Sequence, residues 1–138
     1  MIQKAQILLV QLKVSGYKVS EINYHNRIFK ALDNSDNGEV GDDTRFHYRQ
    51  EGDVVWATYG GGSIKFGTLT AKCNSNGDLD MRYAHLNHAG DMMTGKCVSK
   101  PEVLPDGRLK MHETWQWTSG DKSSGTSLLI EVVDEEEV

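Results

Sequence analysis

Short runs rich in β-branched and aromatic residues alternate along this chain with clusters of Gly, Asn, Asp and Ser. Such punctuation is typical of β-strands joined by tight turns. The pattern predicts eight strands, at about residues 27–33, 44–51, 53–60, 63–72, 79–88, 92–99, 108–118 and 126–133.

The connections between these strands are short, and most of them carry Gly beside Asn or Asp, as hairpin turns require. The longest, residues 100–108, contains Pro101 and Pro105. A parallel crossover needs roughly a dozen residues or more, so we expect consecutive strands to be antiparallel neighbours. Closure removes the exposed edges of such a meander, and the predicted fold is therefore an all-β, eight-stranded antiparallel up-and-down barrel.

The chain divides into three parts. Residues 1–20 form an N-terminal extension whose apolar spacing fits either a helix or a strand. We expect a short helix packed against the barrel, with a lid over one barrel mouth as the alternative. Residues 21–133 form the barrel domain, and residues 134–138 form an acidic tail.

Alternation within a strand separates side chains that face the barrel interior from those that face water. In the second strand Phe46 and Tyr48 alternate with Arg45, His47 and Arg49, so the two aromatic rings are expected inside. The same argument gives these inward lists for the fifth and seventh strands: Leu79, Met81, Tyr83, His85, Asn87, and Leu109, Met111, Glu113, Trp115, Trp117.

Both faces of the third strand carry large side chains. Val54 and Trp56 lie on one face, and Val55 and Tyr59 lie on the other. Because a large exposed apolar surface is unusual on a monomer, one face is expected to be covered, either by the N-terminal segment or by a second subunit in a homodimer.

Composition and charge narrow the class of protein. Of the net charge of −5, four negative charges belong to residues 134–137, so the rest of the chain carries −1. The chain has no basic patch, so nucleic acid is not expected as a partner. No run approaches the roughly 18 apolar residues of a membrane helix. Two cysteines are too few for a disulfide scaffold, so a reduced cytoplasmic location is expected.

Glu113 is the most informative inward residue, because a carboxylate between apolar neighbours is costly unless it is paired or hydrogen-bonded. His85, Tyr83 and Arg82 are the nearest candidate partners by strand. Burial alone would raise the pKa of Glu113, whereas a nearby His85 would lower it. The sequence therefore predicts a Glu113–His85 pair inside the barrel.

These residues define a candidate ligand site. Its polar members are Glu113, His85, Tyr83 and Asn87, and its walls are Trp115, Trp117, Phe46, Tyr48 and Met81. The leading hypothesis is a barrel that binds a small apolar or aromatic ligand.

Two alternatives stay open. The first is an enzyme that uses Glu113 and His85 as an acid–base pair. The second is a filled structural or oligomeric module, which the absence of a cavity above about 300 Å³ would favour. No metal or cofactor is expected, because the five histidines lack ligand spacing. Cys73 and Cys97 are expected to be buried on different strands, too far apart to bridge.

Four segments carry a resemblance to a known family: YHNRIFKALDNSDNGEV (24–40), FHYRQEGDVVWATYGGGSIKFGTL (46–69), LDMRYAHLN (79–87) and PDGRLKMHETWQWTSGD (105–121). They resemble a family of small bacterial proteins with an avidin-like or lipocalin-like barrel, often labelled N-acetylglutamate synthase. The resemblance spans roughly residues 22–133 and implies the fold, without implying catalytic or binding residues.

The synthase label does not fit the glycines of the chain. Common acetyltransferases hold pyrophosphate on a Gly-rich turn at a helix N-terminus. Residues 60–62, in contrast, are expected to form a hairpin between two strands. The run WQWTSG (115–120) is similar to a stretch of avidins in which a tryptophan at the position of Trp115 lines the biotin site. No other part of that site is matched, so biotin is not expected.

Overall fold

Eight antiparallel strands, each paired with the next along the chain, form a closed barrel in the computed structural model, which describes residues 22–133. The strands are β1 (Ile28–Asn34), β2 (Arg45–Glu51), β3 (Val54–Gly61), β4 (Ile64–Cys73), β5 (Leu79–Asn87), β6 (Met92–Val103), β7 (Leu109–Trp117) and β8 (Ser124–Val132). β8 pairs with β1 and completes the closure. The predicted eight-stranded up-and-down barrel is confirmed.

The largest difference from the predicted boundaries is in β6, which continues through Pro101 to Val103. β5 pairs with β6 only as far as Ser99, and beyond that point β6 pairs with β7 alone. Proline, which lacks an N–H group, is tolerated on such an unpaired edge. The prediction ended the strand too early because it took Pro101 for a loop residue.

Two other predictions, the helix in residues 1–20 and the acidic tail at residues 134–138, lie outside the described residues. Within residues 22–133, no helix is long and apolar enough to cross a membrane.

The predicted alternation of inward and outward side chains is confirmed. Phe46 and Tyr48 are buried, whereas His47 and Arg49 are exposed. The inward lists for β5 and β7 are also correct, since their members are buried or face the interior cavity described below. This alternation places every candidate site residue on the inner wall.

On β3, Val55 and Tyr59 point inward, and Val54 and Trp56 remain exposed on the outer face. The homodimer that was inferred from these two outward side chains stays a prediction.

The two ends of the barrel are closed differently. At one end the fully buried Tyr24 donates a hydrogen bond from Oη to the Gly77 carbonyl oxygen, at 2.5 Å. At the other end residues 35–44, here called the mouth loop, connect β1 to β2 and cross the opening. Trp117 Nε1 donates to the Asn37 carbonyl oxygen at 3.0 Å, and Ser63 Oγ donates to the Glu39 carbonyl oxygen at 2.7 Å.

Glycines on the inner wall make room for aromatic rings. Gly125 is the cross-strand partner of Trp115, and Gly95 is the partner of Tyr83. A Cβ atom on Gly125 would lie 2.5 Å from Trp115 Cζ2, so the indole ring rests directly on the backbone of β8.

We expect Gly125→Ala to destabilise the barrel, because the new methyl group overlaps the Trp115 ring. Overpacking of this kind costs typically about 1–3 kcal/mol. Urea unfolding followed by circular dichroism measures the change. Gly60→Ala is the matched control, since a Cβ there meets its nearest atom, the Lys65 carbonyl oxygen, at 3.4 Å. Equal stability of the two variants would show that Trp115 does not need the glycine.

Candidate functional site

A small cavity lies inside the barrel, between the mouth loop and the side chains of the inner wall. Its volume is about 50 Å³, which is room for about two water molecules at roughly 30 Å³ each. Eight of the nine predicted site residues line it: Phe46, Tyr48, Met81, Tyr83, His85, Glu113, Trp115 and Trp117. The volume is well below about 300 Å³, so side chains fill most of the interior, which is the outcome expected of a filled structural module.

Glu113 lies at the centre of β7 and points into this cavity. Ser127 Oγ donates a hydrogen bond to Glu113 Oε1 at 3.0 Å. Ser99 is the cross-strand partner of Glu113 on the other side. Burial raises the pKa of Glu113 to about 7, and the neighbouring Ser99 and Ser127 hydroxyl groups offset only part of this rise. The side chain therefore titrates near neutral pH.

The predicted Glu113–His85 pair is wrong. His85 Nε2 lies 2.8 Å from Glu39 Oε1, and His85 Nδ1 lies 2.9 Å from Tyr59 Oη. The strand register explains the separation. Glu113 is level with Ser99 on β6 and Leu79 on β5, whereas His85 comes six residues later on β5, at the mouth. Both side chains line one cavity, but each has its own partners.

The mouth of the cavity is organised around the Glu39 carboxylate. A neutral imidazole with its hydrogen on Nε2 satisfies both contacts of His85, since it donates to Glu39 and accepts from the Tyr59 hydroxyl. Burial raises the pKa of Tyr59, which keeps that hydroxyl protonated. Asn87 does not line the cavity. Its Nδ2 instead donates to Glu39 Oε2 at 3.2 Å.

This arrangement leaves both ring nitrogens of His85 engaged, at 2.8 and 2.9 Å. A general base needs a free nitrogen within hydrogen-bond reach of the proton that it removes. The geometry therefore gives no support to an acid–base pair made of Glu113 and His85.

Glu39 is the site residue that sequence reasoning missed. It lies in the mouth loop, outside every strand, where alternation carries no information. Gly38, the residue before it, packs so closely on the Asn34 side chain that a Cβ atom would overlap the Asn34 amide. The only sequence feature that marks Glu39 is the Gly-Glu dipeptide after a turn. That feature does not predict that the loop crosses the barrel opening.

A lateral row of polar side chains crosses four neighbouring strands. Asn34 on β1 is level with Ser127 on β8, which is level with Glu113 on β7 and then with Ser99 on β6. We call these four residues the polar row. Tyr48 on β2 also lines the cavity. Burial raises the pKa of the Tyr48 phenol, and the charge of Glu113 adds to this rise.

Two buried oxygen atoms that line the cavity have no hydrogen-bond partner within the described residues. They are Asn34 Oδ1 and Tyr48 Oη. Buried polar atoms are almost always paired in native proteins, so each exception needs an explanation. Two such exceptions in the cavity that Glu113 lines make this region the candidate binding part of the cavity.

The structure gives little support to a cysteine that acts as a nucleophile. Cys73 and Cys97 are free and buried, as expected, and Cys97 also lines the cavity. Burial raises the pKa of the Cys97 thiol, which keeps it protonated and poorly nucleophilic.

The described residues offer neither a metal site nor a phosphate site. Among the described residues, no group of three His, Cys, Asp or Glu side chains is arranged to hold a metal ion. Residues 60–62 belong to the β3–β4 turn, as predicted, and no helix follows them to form a phosphate cradle.

The fold and the site define a closed antiparallel β-barrel with a small, partly polar interior. The family model described as avidin-like protein matches residues 22–132, and the chain belongs to this family. Comparison with curated proteins found no significant match, and neither did comparison with solved structures.

We expect Glu113→Gln to stabilise the protein at high pH and to have little effect at low pH. Because the folded-state pKa of Glu113 is above its ordinary value of 4.5, the stability that its proton confers is complete below pH 4.5. That stability is lost as the pH rises through about 7. The variant should therefore be more stable than the wild type by up to about 3 kcal/mol at pH 8.

Urea unfolding of both proteins at pH 5 and pH 8 measures this difference. Glu51→Gln, at an exposed position on β2, is the matched control and should show no such pH dependence. A Glu113→Gln variant that is equally or less stable than the wild type at pH 8 would contradict a buried, unpaired carboxylate.

Proposed function

We propose that this barrel binds a small polar molecule in its interior cavity, with Glu113 as the anchoring group. The observation that carries the proposal is the set of unpartnered buried oxygens around Glu113, in a cavity with about 50 Å³ of free space. A protein–ligand complex would supply the missing hydrogen bonds.

The size of the cavity limits the ligand. An apolar cavity that accommodates benzene measures about 150 Å³, three times the volume present here. The rings of the protein already occupy the space that an aromatic ligand would need. Trp115 and Trp117 pack with their centroids 5.6 Å apart, and the His85 ring lies 5.8 Å from that of Trp117. Only a ligand of a few non-hydrogen atoms fits the closed barrel.

The polar groups argue against a barrel that is merely filled. A buried polar group left without a partner costs about 1–3 kcal/mol. An interior that serves only to stabilise the fold would gain by replacing Glu113 and Ser99 with apolar side chains of similar volume. Their presence supports a binding role.

Entry of a ligand requires movement of the mouth loop. The other end of the barrel is sealed by Tyr24, which is fully buried. The mouth loop is held by contacts of Glu39 with His85 and Asn87, and by the hydrogen bond from Trp117 to Asn37. We therefore assign Glu39 the role of a latch, whose release opens the cavity.

Native mass spectrometry of the protein purified from its own cells should show a retained small molecule. The added mass should disappear after denaturation, because the ligand is held only by the closed barrel. The Glu113→Gln variant should retain less of it, and Glu51→Gln should retain as much as the wild type. If the wild-type protein has only the mass of the bare chain under these conditions, the filled structural module is the better description.

We expect Glu39→Ala to increase access to the cavity, because His85 and Asn87 lose the carboxylate that ties them to the mouth loop. Acrylamide quenching of tryptophan fluorescence measures this access. Trp115 and Trp117 are only 7% and 5% exposed, whereas Trp56 is 38% exposed. A Trp56→Phe background removes the signal of the exposed ring. The quenching constant should rise at least twofold.

Asp36→Ala in the same background is a suitable control, since Asp36 is an exposed residue of the same loop. Unchanged quenching in Glu39→Ala, with the fold intact by circular dichroism, would show that Glu39 does not hold the mouth closed.

A further inference from the structure

We infer that the ligand of the polar row carries a small cationic head group with several N–H donors, such as an amidinium, a guanidinium or a primary ammonium. This inference rests on the proposed binding function and specifies its chemical class. Its basis is the kind of polar atom that the interior leaves without a partner.

Among the described residues that line the cavity, the two unpartnered buried side-chain atoms are Asn34 Oδ1 and Tyr48 Oη, and both are oxygens. Asn34 Nδ2 donates to the Val40 carbonyl oxygen at 2.9 Å, and this bond fixes the amide so that Oδ1, an acceptor only, is left free. Tyr48 Oη can also accept a hydrogen bond. A ligand that donates several hydrogen bonds would satisfy this set, whereas an anion would leave Asn34 Oδ1 unsatisfied and would face the Glu113 carboxylate.

The charge of the cavity favours the same class. No lysine or arginine is among the described residues that line it. The titratable groups that share the cavity with Glu113 are Glu39, Tyr48, Tyr59, Tyr83, His85 and Cys97. The single imidazole is already engaged by Glu39 at the mouth. The Glu113 carboxylate is therefore buried without a cation, and such a charge is strongly stabilised when a partner of opposite sign arrives.

The neighbouring aromatic surface also suits a cation. The ring of Trp115 comes from the next inward position on β7 and lines the same cavity. Indole faces attract cations through their quadrupole. The amidinium group has only three non-hydrogen atoms, N–C–N, so it offers several N–H donors and a positive charge to a cavity of about 50 Å³ at a small size.

Three probes of nearly identical shape separate charge from fit. Acetamidinium, acetamide and acetate have four non-hydrogen atoms each and carry charges of +1, 0 and −1. Titration of the ¹⁵N-labelled full chain by NMR at pH 8 measures their dissociation constants. We expect acetamidinium to bind at least tenfold more tightly than either of the others and to shift amide signals of β6, β7 and β8.

Variants locate the interaction. Glu113→Gln should weaken acetamidinium binding at least tenfold and bring it close to that of acetamide. Tyr48→Phe should weaken it less, because it removes one acceptor and leaves the charge. Glu51→Gln, on the outer surface, should have no effect. Affinity for acetamidinium should also fall at least tenfold between pH 8 and pH 5, because burial raises the pKa of Glu113 to about 7.

Other outcomes would overturn the cationic class. These are equal or tighter binding of acetamide or acetate, binding of acetamidinium that survives Glu113→Gln, or no binding of any probe. The mass of the molecule retained from the native source decides the binding function separately. A retained neutral or anionic molecule would preserve the proposed function and refute the cationic head group.

Discussion

The burial of the Glu113 carboxylate without a cation is the constraint on which the interior of this barrel depends. Its destabilising effect is reduced by the Ser127 hydrogen bond, but the pKa remains raised to about 7. A group of this kind is stable in the folded protein only when it is protonated, hydrated or bound to a partner. The small cavity next to it provides space for such a partner, and the unpartnered oxygens of Asn34 and Tyr48 provide further contacts.

The mouth loop makes this interior a closed site. Glu39 connects the loop to β5 through His85 and Asn87, while Trp117 on β7 holds the loop backbone at Asn37. A lower dielectric inside the barrel than in water strengthens the interaction of Glu113 with any charged ligand. The two carboxylates thus have different roles, since one holds the loop and the other faces the cavity. This division follows from their positions on the inner wall and explains why His85 serves the loop rather than Glu113.

Much of the fold was predictable, because local rules govern each of its parts. Gly-rich turns and period-two alternation gave eight strands, and short connections made them antiparallel. Alternation also placed Phe46, Tyr48 and Glu113 on the inner wall. The end of β6 was missed because Pro101 usually ends a strand, and only the pairing of its neighbours shows that it lies on an edge. The role of Glu39 could not be predicted, since a loop has no period from which to infer its direction.

The sequence by itself determined the class of fold and the face of the strand on which each side chain lies, because both depend on near neighbours along the chain. Only the tertiary structure decided which inward side chains meet. The register between strands sets the height of each residue in the barrel, and it aligns Asn34, Ser127, Glu113 and Ser99 in one row. That register results from the closure of all eight strands together. The partner of Glu113 is therefore a property of the whole barrel.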